Sequence, residues 1–118
     1  MIIMNADELI AGATNLRPIL ERNADCADRD RRLPEETVNA MHEAGVFRIL
    51  TPRCFGGCEA DLGTLVEVVG QISQGCCSAG WLTLLMQSCT WLAALYPEQA
   101  QEEVFASGPD ARAAGVLA

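Results

Sequence analysis

Residues 45–81, GVFRILTPRCFGGCEADLGTLVEVVGQISQGCCSAGW, decide how the chain folds. Gly45 ends a helical run, because a left-handed residue is a common way out of a helix. Residues 46–50 are apolar around Arg48 and too short for a helix of their own. Pro52 biases Thr51 toward extended backbone, so a short extended link is expected. Gly56 and Gly57 turn the chain, by positive φ or by close backbone approach. Asp61 is then read as an N-cap. The run behind it places Leu62, Leu65, Val66, Val69 and Ile72 on one helical face. Gly63 and Gly70, seven residues apart, share a face that another helix could approach closely. This helix breaks at Gly75, and a second opens after Ser78, read as its cap.

Working outward, residues 79–95, AGWLTLLMQSCTWLAAL, are apolar nearly all round. Such a helix is expected to be buried on every side. A domain of this size can hardly surround it, so the pattern asks for covering partners. Trp81, Leu85, Ser88, Leu92 and Leu95 line one side, while Leu84, Met86 and Trp91 face elsewhere. Tyr96-Pro97-Glu98 begins a last helix, stopped by Ser107-Gly108-Pro109. Residues 111–118 read as the opening of a strand. Upstream, residues 6–31 are helical, with Leu9, Ala13, Leu16, Leu20, Ala24 and Ala27 as the apolar stripe. Pro18 either kinks this helix or opens a second one. Asp25–Arg29 and Asp28–Arg32 stand at pairing distance on its outer face. Pro34-Glu35-Glu36 starts another helix, with Val38, Met41 and Ala44 turned inward.

The chain's 118 residues suit one domain. Sixteen acidic residues face eight basic ones, all arginine, for a net charge of −8. That balance argues against nucleic acid as a partner, which needs a basic face. The opening MIIMNADELIAG shows neither a basic n-region nor a long apolar core, so no secretory leader is read and a cytoplasmic protein is expected. Residues 68–97 carry no charge, but polar residues at 71–78 leave an apolar stretch below the ~20 residues a span needs, so no membrane partner is expected. Six cysteines and one histidine do not form a zinc pattern: Cys54 and Cys58 are four apart, and Cys76 and Cys77 are adjacent. No metal site is assigned, and the cysteines are read as small apolar residues. His42 lies beside the inward face of its helix, without a cysteine or carboxylate motif nearby. No catalytic residue is assigned.

Three segments recur in a recognisable order: RDRRLPEETVNAMHEAGVFRILTPRCFGG (29–57), GCCSAGW (75–81) and PEQAQEEVF (97–105). In that order they resemble the N-terminal helical domain of the acyl-CoA dehydrogenase fold, a resemblance that extends over about residues 17–118. Within it they are most similar to the flavin-dependent monooxygenase branch, the oxygenase components of two-component aromatic hydroxylases. The resemblance implies an all-α orthogonal bundle of five or six helices over residues 1–110, with the 79–95 helix central. Residues 111–118 would begin a truncated middle β-domain, followed in the family by a C-terminal helical domain, in a homo-oligomer. It implies FMN or FAD, delivered reduced by a separate flavin reductase, and hydroxylation of a small aromatic or polyketide substrate. Trp81 matches the family's tryptophan near the isoalloxazine, and Ser78 is the second cofactor-side residue. Cys89 stands where monooxygenase relatives often place a substrate-contacting histidine. A thiol is a weaker hydrogen-bond partner and base than imidazole. The other readings are an FAD-dependent acyl-CoA dehydrogenase, or a non-catalytic helical interaction module left by truncation. Alone, the 118-residue chain is expected to be inactive.

Overall fold

A computed structural model describes residues 4–115, and among them every regular element is helical. In chain order these are α1 (Ala6–Asn15), α2 (Arg17–Asp30), α3 (Glu35–Glu43), α4 (Leu62–Gly75), α5 (Cys77–Ala93) and α6 (Glu98–Val104). The all-α expectation of five or six helices is met. Residues 111–115 are irregular, and the strand expected over 111–118 runs on into 116–118, which lie outside the described residues.

Local chemistry fixes the helix ends. Asn5 caps α1 through a reciprocal pair: its side chain accepts the Glu8 N–H at 2.9 Å, and its own N–H donates to the Glu8 carboxylate at 2.9 Å. Pro18 does not kink one long helix. It sits in the first turn of α2, where a missing N–H costs nothing. At the other end α2 unwinds through Arg31, at φ 56°. The unwinding takes Arg32 out of helical register with Asp28, and Arg29 pairs with its neighbour Asp30 at 3.2 Å. The two i,i+4 pairs expected on α2 are therefore not formed. Arg22 instead ties α2 to Glu36 of α3.

The bundle is centred on α4, which packs against α1, α2 and α5. This corrects the expectation that the 79–95 helix is central. The buried face of α4 is Thr64, Leu65, Val68 and Ile72, while Leu62 and Val66 point outward. Leu9, Ala13, Leu20, Met41 and Ile49 complete the core around it. Gly63 and Gly70 do not admit a neighbouring helix. The close approach is at Gly80 of α5, where a Cβ would overlap the Ser73 hydroxyl of α4.

Residues 46–60 do not form an extended link. They make two single 3-10 turns, Val46–Arg48 and Arg53–Phe55, and close on themselves. Cys58 and Ala60 donate their N–H groups to the carbonyls of Arg48 and Ile49, each at 2.9 Å. Burial of Val46, Phe47, Ile49 and Leu50 favours this compaction over an extended path. Gly45 is the left-handed residue after α3, at φ 80°.

Helix α5 is inverted relative to its apolar composition. Its buried residues are Ala79, Gly80, Thr83, Gln87, Thr90 and Ala93. Thr83 and Thr90 satisfy their hydroxyls on the carbonyls of Ala79 and Met86, at 2.8 and 3.0 Å. Trp81, Leu85, Trp91 and Leu92 face outward, continued by Leu95 and Tyr96. Burial on every side was the wrong expectation. The tight α4–α5 crossing admits only small side chains, so the large ones turn away. Ser78 is not the cap of α5: the helix begins at Cys77, its N-cap is Cys76, and Ser78 is its second residue. No helix among the described residues is long and apolar enough to cross a membrane.

Candidate functional site

The first turns of α5 open onto a cleft of about 420 Å³ shared with the end of α2. Asp28, Arg31, Arg32, Leu33, Ser78 and Trp81 line it. The left-handed exit at Arg31 places two consecutive guanidinium-bearing residues at this rim. Among the described residues neither Arg31 nor Arg32 has a carboxylate within salt-bridge distance, unlike Arg22, Arg29 and Arg48. The indole of Trp81 is 61% exposed, which is unusual for so large an apolar surface. The cleft thus offers a flat aromatic wall, one exposed hydroxyl at Ser78 and two guanidinium groups, with the single carboxylate of Asp28 beside them. Such a surface favours a planar, anionic ligand.

The structure brings Ser78 and Trp81 together in that cleft. It does not bring Cys89 to them. Eight residues on, Cys89 lies about 12 Å further along the helix axis. It is half-buried, and the chain at Gly115 passes over it: a Cβ built on Gly115 would stand 2.9 Å from the Cys89 sulfur. The exposed stripe of α5 carries no carboxylate and no imidazole, so this helix supplies no acid–base pair.

Gln87, which the sequence offers as one of the few polar groups beside the candidate site, instead has a structural role that sequence reasoning missed. It is 1% exposed, and its Oε1 accepts the Leu50 N–H at 2.9 Å, pinning the 46–60 loop to α5. Its Nε2 is buried without a partner. Only a partner residue distant in sequence reveals this role, so periodicity could not have found it. A second cleft, about 530 Å³, lies between α2 and α3 and includes Cys26, Asp30 and Arg112. The Cys26 thiol donates to Asp30 Oδ2 at 3.2 Å, and this bond is the main influence pushing its pKa up. Cys58 is likewise pushed up, chiefly by burial. His42 is exposed, with Nε2 3.9 Å from Asp110. No three His, Cys, Asp or Glu side chains among the described residues are grouped to hold a metal.

Comparison with known proteins adds to this geometry. The family described as "Acyl-CoA dehydrogenase, N-terminal domain" matches residues 13–107. The chain is 33% identical over 108 residues to the flavin-dependent monooxygenase oxygenase subunit HsaA of Mycobacterium tuberculosis, covering 92% of this chain and 27% of that protein. It is 33% identical over 110 residues to the oxygenase component of an FADH(2)-dependent resorcinol hydroxylase from Rhizobium, covering 93% and 27%. The crystal structure of the HsaA monooxygenase from M. tuberculosis superposes with a TM-score of 0.87 at 33% identity, over 92% of this chain and 30% of that one. The chain therefore spans about a quarter of the length of these relatives.

Proposed function

Because this chain belongs to the acyl-CoA dehydrogenase N-terminal domain family, we propose that it is the helical domain of an oxygenase that uses reduced flavin to hydroxylate a small aromatic or polyketide substrate. Residues 1–110 form that domain, and residues 111–118 lead toward a middle β-domain. A C-terminal helical domain, further subunits and a separate flavin reductase complete the system. Reduced FMN or FAD, when bound, supplies the electrons that activate dioxygen.

The residues present fit such a group. Isoalloxazine is planar and aromatic, and Trp81 presents an exposed indole for it to stack on. A flavin phosphate is anionic, and Arg31 and Arg32 line the same cleft. Ser78 offers a hydroxyl to a polar edge of the ring. Further along α5, Leu85 and Leu92 present apolar surface that excludes water, and Cys89 faces the substrate end. The chain contributes walls and orientation; the proton-moving groups belong to other parts of the enzyme.

The observation that carries this reading is the exposed Trp81 indole, at the head of an apolar stripe that takes no part in the bundle's core. Trp81→Ala in the whole oxygenase is expected to weaken reduced-flavin binding and flavin-dependent hydroxylation by about tenfold, the order of one aromatic stacking contact. The melting temperature should stay within a few degrees, since an exposed residue holds little of the core. Anaerobic flavin titration and product assay measure the two effects. Unchanged flavin affinity in Trp81→Ala would remove the indole from the cofactor site. Bleaching of oxidised bound FAD by an acyl-CoA, without hydroxylation, would favour the dehydrogenase reading.

A further inference from the structure

Past α6 the chain doubles back across the 46–60 loop and is fastened to it four times. Phe105 packs on Phe55 with ring centroids 5.1 Å apart. Thr51 donates its hydroxyl to the Pro109 carbonyl at 2.8 Å. Arg48 grips Asp110 with two nitrogens, its Nε reaching Oδ1 at 2.8 Å and a terminal nitrogen reaching Oδ2. Arg112 lies over the Phe47 ring, 5.0 Å from its centroid. Beyond these ties, Gly115 rests against Cys89 of α5. The loop itself is pinned to α5 by the Leu50–Gln87 bond. One loop therefore holds both α5 and the segment that crosses it.

The Arg48–Asp110 pair differs from the surface pairs of α2. Its side chains are 24% and 15% exposed, against 60% and 55% for Arg22–Glu36. A two-pronged guanidinium–carboxylate contact fixes direction as well as distance, which a single-point contact does not. Arg48 ends the Val46–Arg48 turn, which packs against α3 and α5, whereas Asp110 lies beyond the last helix.

We propose that Arg48 and Asp110 are positioning residues: their fork seats residues 113–115 on Cys89 and so sets how far the Cys89 end of the α5 stripe opens to substrate. The proposal rests on the reading of Cys89 as substrate-facing. The fork acts at a distance, by holding a backbone segment, and touches no reacting atom. Substrate size at that end follows from the gap between residues 113–115 and α5. Gly115 suits this place because its missing Cβ lets the backbone lie close to the thiol.

Alkylation of the 118-residue chain, resolved cysteine by cysteine with mass spectrometry, tests the seating without reference to any activity. Asp110→Asn removes the charge and keeps the shape. Cys89 should react about tenfold faster, as expected when a partly buried charge-assisted contact is lost. Cys54 and Cys77, already exposed, should keep their rates, and Cys58 and Cys76, buried in the core, should stay slow. Arg48→Lys keeps the charge but only one prong, and should give an intermediate Cys89 rate. The exchanged pair Arg48→Asp with Asp110→Arg should restore the slow rate. A Cys89 rate unchanged in both single variants, or one that rises only in step with Cys58 and Cys76, would overturn the seating. In the whole oxygenase the same variants should raise KM for substrate while kcat and flavin affinity hold. Faster Cys89 alkylation with an unaltered KM would keep the seating and overturn the role in substrate access.

Discussion

Gln87 shows how much one side chain can decide. Among the described residues it is the largest buried polar side chain, and its carbonyl oxygen holds the Leu50 N–H. Gln87→Met keeps the volume but leaves that N–H without an acceptor, which should cost about 1–3 kcal/mol. Gln87→Ala adds a cavity and should cost about 2–4 kcal/mol. Urea unfolding of the two variants measures both, and a Met variant as stable as the parent would show that the bond is offset by the buried, unpartnered Nε2 that methionine removes. Residues of this kind were illegible in the sequence. Gln87 reads as a polar interruption of an apolar run, and nothing local names Leu50, 37 positions away. Trp81 was legible only through family resemblance, because periodicity treats an indole on a helix as core. Arg31 and Arg32 read as part of a solvated charge cluster, and only the left-handed exit of α2 puts them beside Trp81.

At the scale of the element, most helix starts were legible because caps are local chemistry, with Ser78 the exception. Asp61 was read correctly as a cap: it accepts the Thr64 N–H at 2.7 Å and the Thr64 hydroxyl at 2.8 Å. Those bonds, the backbone one foremost, hold its carboxyl below the usual carboxylate range. A depressed folded-state pKa stabilises the fold above the unfolded pKa, near ~3.9, and that support is lost as pH falls through the folded value. Asparagine caps about as well and does not titrate. The urea midpoint of Asp61→Asn should therefore match the parent at neutral pH and fall less steeply below about pH 4. A residual acid slope is expected, because Glu36 and Asp30 are shifted the same way. An acid limb identical to the parent's would deny the cap its share. Which face of a helix turns inward was less legible. Leu62 and Val66 were placed inside and lie outside, and α5 buries its small and polar residues, because Gly80 and Ser73 set how near two helices come.

For the whole molecule, the outward stripe of α5 dominates. Trp81, Leu85, Leu92, Leu95 and Tyr96 are all exposed, and an apolar surface beyond about a few hundred Å² seldom stays uncovered. The 118-residue chain should therefore associate into dimers or larger species at micromolar concentration, read by sedimentation velocity. Leu85→Asp should shift it toward monomer, and a parent chain that sediments as a monomer throughout would show that the stripe is tolerated in water. The all-α class and a count of five or six helices were legible because most of these segments are amphipathic or capped, and α5, which is neither, is an apolar run too long for a strand. The hub was not, since the most apolar segment was taken for the centre and α4 holds that place. The inversion of α5 separates two kinds of constraint along a single helix. One side, at 79, 80, 83, 87, 90 and 93, answers to the bundle; the other, at 81, 85, 92 and 95, answers only to what it meets. Mutational drift on the second side leaves the scaffold intact, so recognition can diversify among descendants at a rate the fold does not restrain.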